Sequence, residues 1–293
     1  LNGQAAGAGV GVLASVAAYG TQRLGTYNGW QNLSDTDSVI SEYQAFRLQM
    51  RQTASDSGRN VEDLQNLAED AAATRAIDPA ETAAALAVIQ DRFADQFGAI
   101  VSNWDSLTTF SAGFDANIGG VTSTAATMMQ RFDINEGQVD DALAIAAAST
   151  GKGTVSLDQL ATDFGGVAPL LESTFGNRVH GLQGAQQFAA FAQVAGRSGQ
   201  DTAPEQATTL ERFLTEIGSP ETWDALSEMG VNITSGEGAN RRINDPMSVM
   251  RTLATAPQLA VPGAMESAFS SLESRRYLLG LRGGTGAGSG LSL

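Results

Sequence analysis

The chain of 293 residues contains no cysteine and a single histidine, His180. Without cysteine it can form neither disulfides nor thiolate ligands for zinc, and it has no thiol nucleophile. One histidine is too few for a histidine-rich metal site, and no nucleophile motif surrounds His180, which we interpret as a turn residue. The sequence therefore predicts no metal, no other cofactor and no enzymatic activity.

Basic residues are also scarce, since 17 Lys and Arg stand against 32 Asp and Glu and leave a net charge of −15. An acidic surface repels a phosphate backbone, so specific binding to duplex DNA is not expected. The small basic cluster formed by Arg275, Arg276 and Tyr277 neutralises too few phosphates to change this. We expect it to pair with acids of a neighbouring helix or subunit.

Aromatic residues make up only 6% of the chain, charged residues only 17%, and there are seven prolines. Abundant alanine and few strand-forming aromatics favour helix over sheet. A lightly charged surface with many small residues also favours close contact with other subunits. The composition thus predicts a helical protein that packs against copies of itself.

The first 22 residues carry no charge and consist mostly of alanine, glycine and valine. Gly3, Gly7 and Gly11 recur at the four-residue spacing that lets helix backbones approach closely, which makes them candidate helix-packing or membrane-contacting residues. The stretch is about as long as a membrane span, but it is poor in leucine and isoleucine and lacks a basic flank. A packed small-residue helix, a membrane-active segment and a flexible lead-in all stay open.

Residues 35–134 read as a succession of helices. Asn60 and Asp78 each precede a helical pattern and are predicted N-caps, and Pro79 fits the first helical position. From residue 79 an apolar stripe predicts one long helix to about residue 107, with Gly98 as a possible kink. A break over 109–120 and a short helix over 121–132 follow.

Residues 135–281 contain shorter helices, each closed by glycine or a polar turn. The predicted helices cover 138–149, 156–173, 183–197, 204–217 and 220–229. Pro169 should kink the second helix, and the pair Gly165 and Gly166 suggests a tight helix–helix approach there. Two-residue alternation on both sides of 235–238 predicts a small β-hairpin near 231–244, after which Asp245 and Pro246 open another helix.

Two further segments faintly match ligand-binding loops. Residues 133–137 are similar to the start of a calcium loop, but Ala144 stands where a bidentate glutamate is required. We therefore interpret Glu136, Asp140 and Asp141 as acids that face a helix N-terminus. Residues 151–154 partly match a phosphate loop, but a helix precedes them instead of a strand, so we predict a helix-to-helix turn.

The predicted fold class is mainly α, a multi-helix array of short to medium helices with one small β-hairpin. Its predicted divisions are an apolar lead-in helix and connector (1–34), a helical region (35–134), a helical module with the hairpin (135–281) and a Gly-rich linker (282–293). The first and last of these suggest a segment of a longer polypeptide.

From about residue 140 onward the order of elements resembles the core region of tail tape measure proteins of long-tailed bacteriophages and prophages. The matching segments are 141–148, 156–161, 189–199, 207–214, 226–233 and 245–253. They include Ala-rich helices, a small-residue run before glycine, and a step through Gly230 and Val231 into the hairpin. The long hairpin turn, 235–240, departs from the family pattern.

The resemblance implies a structural protein in the interior of the virion tail that sets tail length and takes part in DNA ejection. It implies as partners other copies of the chain, other tail or baseplate proteins, nearby genomic DNA without sequence-specific binding, and the host membrane during ejection. It implies no catalytic residues. Two rival hypotheses are a pore-forming protein built on residues 1–22 and a cell-wall lytic enzyme, for which Glu172 and Glu211 would be the residues to mutate.

Overall fold

The structure, a computed structural model, describes residues 36–150 and 154–283. The chain divides into two compact units, residues 1–123 and 124–293, and the division falls within one helix. The predicted mainly α fold is confirmed, because helices dominate both units and the strands among the described residues form a single two-stranded sheet. The four sequence-based divisions stay predictions.

The described part of the first unit is a set of helices that pack around α1. Its elements are α1 (Thr36–Ser57), α2 (Val61–Arg75), α3 (Pro79–Arg92), a 3-10 turn (Ala94–Gln96), α4 (Phe97–Ser102), α5 (Trp104–Phe114) and the start of α6 (Ile118–Phe132). Helix α1 packs against α2 and α3, and α5 packs against α2. The core between them is built largely from alanine, leucine and isoleucine.

Local capping sets the helix starts of this unit. The Asn60 side chain accepts a hydrogen bond from the backbone N–H of Glu62 at 2.9 Å, and Asp78 accepts one from Ala80 at 2.8 Å. Pro79 takes the first position of α3, where its missing N–H leaves no hydrogen bond unmade. Both predicted caps are confirmed. Helix α2 ends at Ala76, whose positive φ of 56° stops the helical path.

The single long helix predicted over 79–107 is wrong. The chain leaves the helix at Phe93, with φ −136° and ψ 43°, and turns through the 3-10 segment before α4 and α5. Gly98 lies inside α4 and does not form the break. A straight helix of that length would extend about 40 Å, beyond the helices it packs on. The turn lets Trp104 and Leu107 become buried while α5 returns onto α2.

The predicted break over 109–120 is too long. Helix α5 continues to Phe114 and ends where Asp115 takes a positive φ of 50°, and only three residues separate it from α6. The Asn117 side chain accepts a hydrogen bond from the N–H of Gly119 at 2.8 Å and thereby starts α6. The polar residues Thr108 and Thr109 do not interrupt α5. Their hydroxyl groups donate hydrogen bonds to backbone carbonyl groups of the same helix.

The second unit is a larger array of short helices with the hairpin near its end. Its elements after α6 are α7 (Val139–Thr150), α8 (Leu157–Thr162), α9 (Ala168–Phe175), α10 (Gly181–Ala195), α11 (Ala203–Ile217), α12 (Pro220–Glu228), β1 (Thr234–Ser235), β2 (Arg242–Ile243), α13 (Pro246–Thr255), α14 (Ala264–Ala268) and α15 (Leu272–Gly283). Helix α10 packs against α7, and α11 packs against α9, α10 and α15. Helices α10, α11 and α15 thus form the centre of the unit.

The region predicted as one kinked helix over 156–173 is instead two helices, α8 and α9, joined by a 3-10 turn. Pro169 lies in the first turn of α9, where proline begins a helix, so it starts α9 and does not kink a longer one. The tight approach predicted at Gly165 and Gly166 is also wrong. A Cβ on Gly165 would meet its nearest neighbour at 3.8 Å, and one on Gly166 would meet nothing within 4 Å.

The close approach occurs elsewhere in this unit, at Gly280 on α15. A Cβ there would lie 3.0 Å from the backbone carbon of Arg197 and 3.0 Å from the carbonyl oxygen of Val194. A side chain at this position would push its neighbours by a few tenths of an ångström, and both neighbours are backbone atoms that a rotamer change cannot move. Glycine at this position therefore permits α15 to pack directly against the end of α10.

The hairpin is the predicted strand pair, and it is short. Thr234 pairs with Ile243 and Ser235 with Arg242 in antiparallel register. The turn between the strands contains Gly236 at φ 82°, where a Cβ would lie 2.4 Å from the carbonyl oxygen of Asn240. A 3-10 turn (Gly238–Asn240) completes the connection, and Asp245 then caps α13 by accepting from the N–H of Ser248 at 2.9 Å.

Candidate interaction surface

An open groove in the second unit displays large apolar side chains. Val261, Leu272 and Leu279 are 59%, 50% and 59% exposed, and all three line this groove of about 570 Å³. It lies among a 3-10 turn (Pro257–Ala260), α14 and α15. Isolated exposed leucines are common, but a cluster of them in one concave surface is typical of a site that contacts another molecule. We call it the α15 groove.

Arginines border the α15 groove. Arg275, Arg276 and Arg282 line it together with Glu266, and the guanidinium of Arg275 lies 3.9 Å from that glutamate. The expected pairing of the basic cluster with a neighbouring helix is therefore confirmed for Arg275, since Glu266 belongs to α14. Arg282 donates to two backbone carbonyls and so ties α15 to the end of α13. A groove lined by both apolar side chains and arginines is suited to contact with an amphipathic surface of another protein.

Tyr277, which the sequence analysis grouped with the two arginines, is a core residue. It is fully buried, its ring stacks on Phe213 at 4.2 Å between centroids, and its hydroxyl donates to the carbonyl of Phe191 at 3.2 Å. Burial raises the pKa of the Tyr277 hydroxyl well above its usual value near 10, so the group stays protonated. The helical spacing of Tyr277, Leu278 and Leu281 was the signal that could have placed it in the core.

An aromatic cluster surrounds Tyr277. Phe213 stacks on Phe269 at 6.0 Å, while Phe191 meets Phe175 edge to face at 5.9 Å. These rings come from five separate helices or turns, so the cluster fixes how α9, α10, α11 and α15 meet. The cluster holds α15 in place, and α15 carries both Leu272 and Leu279 of the groove.

The other residues selected from the sequence do not form a shared site. Gly3, Gly7 and Gly11 lie outside the described residues, as do residues 151–153 of the partial phosphate loop. His180 lies in the turn before α10, as predicted, with Nδ1 3.2 Å from a carboxylate oxygen of Asp133. Both of these side chains reach solvent, which leaves the pair as a surface contact.

The acidic residues considered as candidates for catalysis or metal binding lie on helices or in the turn before a helix. Glu172 lies on α9 and Glu211 is exposed on α11. Glu136 lies in the 3-10 turn before α7, and Asp140 and Asp141 lie in the first turn of α7, as predicted. Within residues 36–150 and 154–283, no group of three or more His, Asp or Glu side chains converges in a way that could hold a metal ion.

No helix in the described part of the chain combines the length and the apolar character needed to cross a bilayer. The pore-forming hypothesis concerns residues 1–22, which lie outside that part, and stays a prediction.

The described residues thus form an α-helical protein with a cluster of aromatic rings in its core and an open apolar groove on its surface. A family model described as phage-related minor tail protein matches residues 96–261, more than half of the chain. The chain belongs to this family, which places it among the structural proteins of phage tails. No curated protein and no solved structure matches it.

Proposed function

We propose that the chain is part of a tail structural protein of the tape measure type. It lies in the tail interior, contributes to the setting of tail length, and leaves with the genome during DNA ejection. Its action needs no catalytic residue and no cofactor. The family match carries this proposal, together with the resemblance of the segments between 141 and 253 to the tape measure core.

The proposed mechanism of length control uses helix geometry. An α-helix extends by about 1.5 Å per residue, so an extended helical chain inside the growing tube can end its growth at a length proportional to residue number. In their described residues, the two compact units consist of helices of 22 residues or fewer joined by turns. We assign them to the packed region of the protein, beside such an extended region.

The proposed partners are other copies of the chain and other tail proteins. The α15 groove supports this assignment, because Val261, Leu272 and Leu279 would become buried in such a contact. Genomic DNA lies nearby without specific binding, which agrees with a net charge of −15.

Electron microscopy of phage particles tests the proposal. In-frame deletions of increasing size should be made in the part of the gene that encodes the extended helical region. They should shorten the tail by about 1.5 Å for each residue removed. Substitutions in the α15 groove serve as the control, because they leave the number of residues unchanged. They should not alter the length of those tails that do assemble. Tails of unchanged length after a large deletion would reject the tape measure role and leave the family assignment untouched.

A further inference from the structure

The hairpin brings arginines together in a second pocket of the same unit. Arg241 and Arg242 come from the hairpin, and Arg178 from the 3-10 turn (Gly176–Arg178) after α9. Arg178 donates to the carbonyl of Ile243 and so fastens the hairpin to that turn. The pocket has a volume of about 490 Å³, and Trp223 and Phe175 also line it. We call it the arginine pocket.

Positive charge in the arginine pocket is only partly neutralised by the residues that the structure describes. Arg241 forms an ion pair with Asp224 and donates to Thr234 at 3.0 Å. Among the described residues, neither Arg178 nor Arg242 has a carboxylate within ion-pair distance, and no acidic residue lines the pocket. Three of only 17 basic residues therefore converge at one place in a strongly acidic chain.

The donors of this pocket suit an oxyanion. A guanidinium offers five N–H donors in a planar fork that matches a carboxylate or a phosphate. Arg178 uses one of its terminal nitrogens on the Ile243 carbonyl, which leaves its other donors available. Arg242 is exposed on the hairpin, so its whole fork can reach a ligand.

The walls of the pocket favour a protein ligand over a nucleotide. The guanidinium of Arg241 lies over one face of Trp223, 5.7 Å from the ring centroid, and the indole N–H donates to the carbonyl of Ile217 at 2.6 Å. Phe175 is buried, so the pocket offers a nucleobase little aromatic surface on which to stack. Ile243 and Phe175 add apolar surface beside the arginines, which fits a segment that carries both acidic and apolar side chains.

We propose that the arginine pocket binds a short acidic segment of a partner protein, with carboxylates held by Arg178 and Arg242. The contact is electrostatic and directional, and it is distinct from the apolar contact of the α15 groove. It does not depend on the tape measure role, because it follows from the pocket alone. In this proposal the hairpin holds Arg241 and Arg242 opposite Arg178.

Fluorescence anisotropy with labelled hexaglutamate tests this proposal on the whole chain. A salt concentration of about 0.15 M screens the overall negative charge beyond roughly 8 Å but leaves direct contacts in place. Arg242→Glu should weaken binding by about tenfold or more, because it removes a charge-assisted hydrogen-bond donor and adds a repelling carboxylate. Arg251→Glu on α13 makes the same charge change at an exposed site outside the pocket and should alter the affinity by less than about twofold.

Inorganic phosphate and labelled oligothymidylate provide the comparison probes, and circular dichroism checks that both variants are folded. Tighter binding of either phosphate probe than of hexaglutamate, with the same loss in Arg242→Glu, would assign the pocket to phosphate and overturn the proposal. It would also be overturned by equal weakening in Arg242→Glu and Arg251→Glu, or by the absence of hexaglutamate binding to the unaltered chain.

Discussion

The two units start their helices in the same way but build their cores differently. In the first unit Asp78 caps α3 and is followed by proline, and in the second unit Asp245 caps α13 and is followed by proline. The two capping hydrogen bonds are 2.8 and 2.9 Å long. Local sequence therefore sets helix starts equally well in both units.

The cores show the difference. In the first unit the buried residues are mostly aliphatic, with Leu64, Leu86 and Ile89 fully buried. In the second unit the buried residues are also mostly aliphatic, but five rings centred on Tyr277 contact one another, and Gly280 lets two backbones meet. Aliphatic cores of suitable volume tolerate exchange, whereas stacked rings and backbone contacts require one geometry. The unit that carries the α15 groove and the arginine pocket is thus the one with the more specific packing.

The largest expected effect comes from Tyr277→Ala. Removal of a fully buried ring leaves a cavity and should lower the free energy of unfolding by about 3–5 kcal/mol. The matched change in the first unit, Tyr43→Ala, should cost about half as much. Tyr43 is slightly exposed, and its ring lies 6.3 Å from that of Phe46.

Urea unfolding combined with hydrogen exchange, read on peptides from each unit, measures both changes. Tyr277→Ala should accelerate exchange mainly in residues 154–283, and Tyr43→Ala mainly in residues 36–123. Equal costs for the two substitutions would show that the aromatic cluster is no more sensitive to truncation than the core around Tyr43.

The next largest effect concerns two glycines that lie in helices. Their replacement by alanine should change the stability of the protein in opposite directions. In Gly280→Ala the new methyl group meets backbone atoms of Val194 and Arg197 at 3.0 Å, and overpacking of this kind costs about 1–3 kcal/mol. In Gly113→Ala on α5 nothing lies within 4 Å of the new methyl group, and helix propensity should stabilise the protein by up to about 1 kcal/mol. Thermal unfolding followed by circular dichroism compares them, and stabilisation by both would disprove the close approach at Gly280.

The features that sequence reasoning predicted correctly are local ones. The caps at Asn60, Asp78 and Asp245 depend on residues two or three positions away, and the hairpin is marked by alternation beside a Gly-rich turn. The wrong predictions required knowledge of packing. The chain turns at Phe93 because α5 must return onto α2, and an apolar stripe in the sequence continues unbroken through that turn.

The candidate surfaces could be predicted only in part. Arg275 and Arg276 stood out as basic residues in an acidic chain, and the expected pairing of Arg275 was found. Neither the α15 groove nor the arginine pocket was predicted. The pocket joins residues from distant segments, and the groove, although its lining lies within residues 259–282, depends on how α14 and α15 fold against each other. Paired glycines such as Gly165 and Gly166 look like a packing motif in a sequence, while a lone glycine such as Gly280 shows its neighbour only in three dimensions.

Replacement of exposed leucines should have the smallest effect on stability. It is also the change that tests the proposed contact function. Leu279 on α15 and Leu48 on α1 are 59% and 57% exposed, so their replacement by aspartate should change the free energy of unfolding by less than about 0.5 kcal/mol. Only Leu279 lies in a groove with two other exposed apolar residues, Val261 and Leu272. Leu279→Asp should therefore weaken self-association by about tenfold or more, as expected for an apolar residue at the centre of a contact, while Leu48→Asp should not.

Sedimentation velocity over a range of protein concentrations distinguishes the two variants, because it measures association without relying on stability. A shift of Leu279→Asp toward the monomer, with Leu48→Asp unchanged, would show that self-contact uses the α15 groove and not exposed apolar side chains in general. An unaltered chain that stays monomeric at every concentration would reject self-contact through this surface. Equal weakening by both substitutions would reject its specificity, since the added negative charge alone would then explain the change.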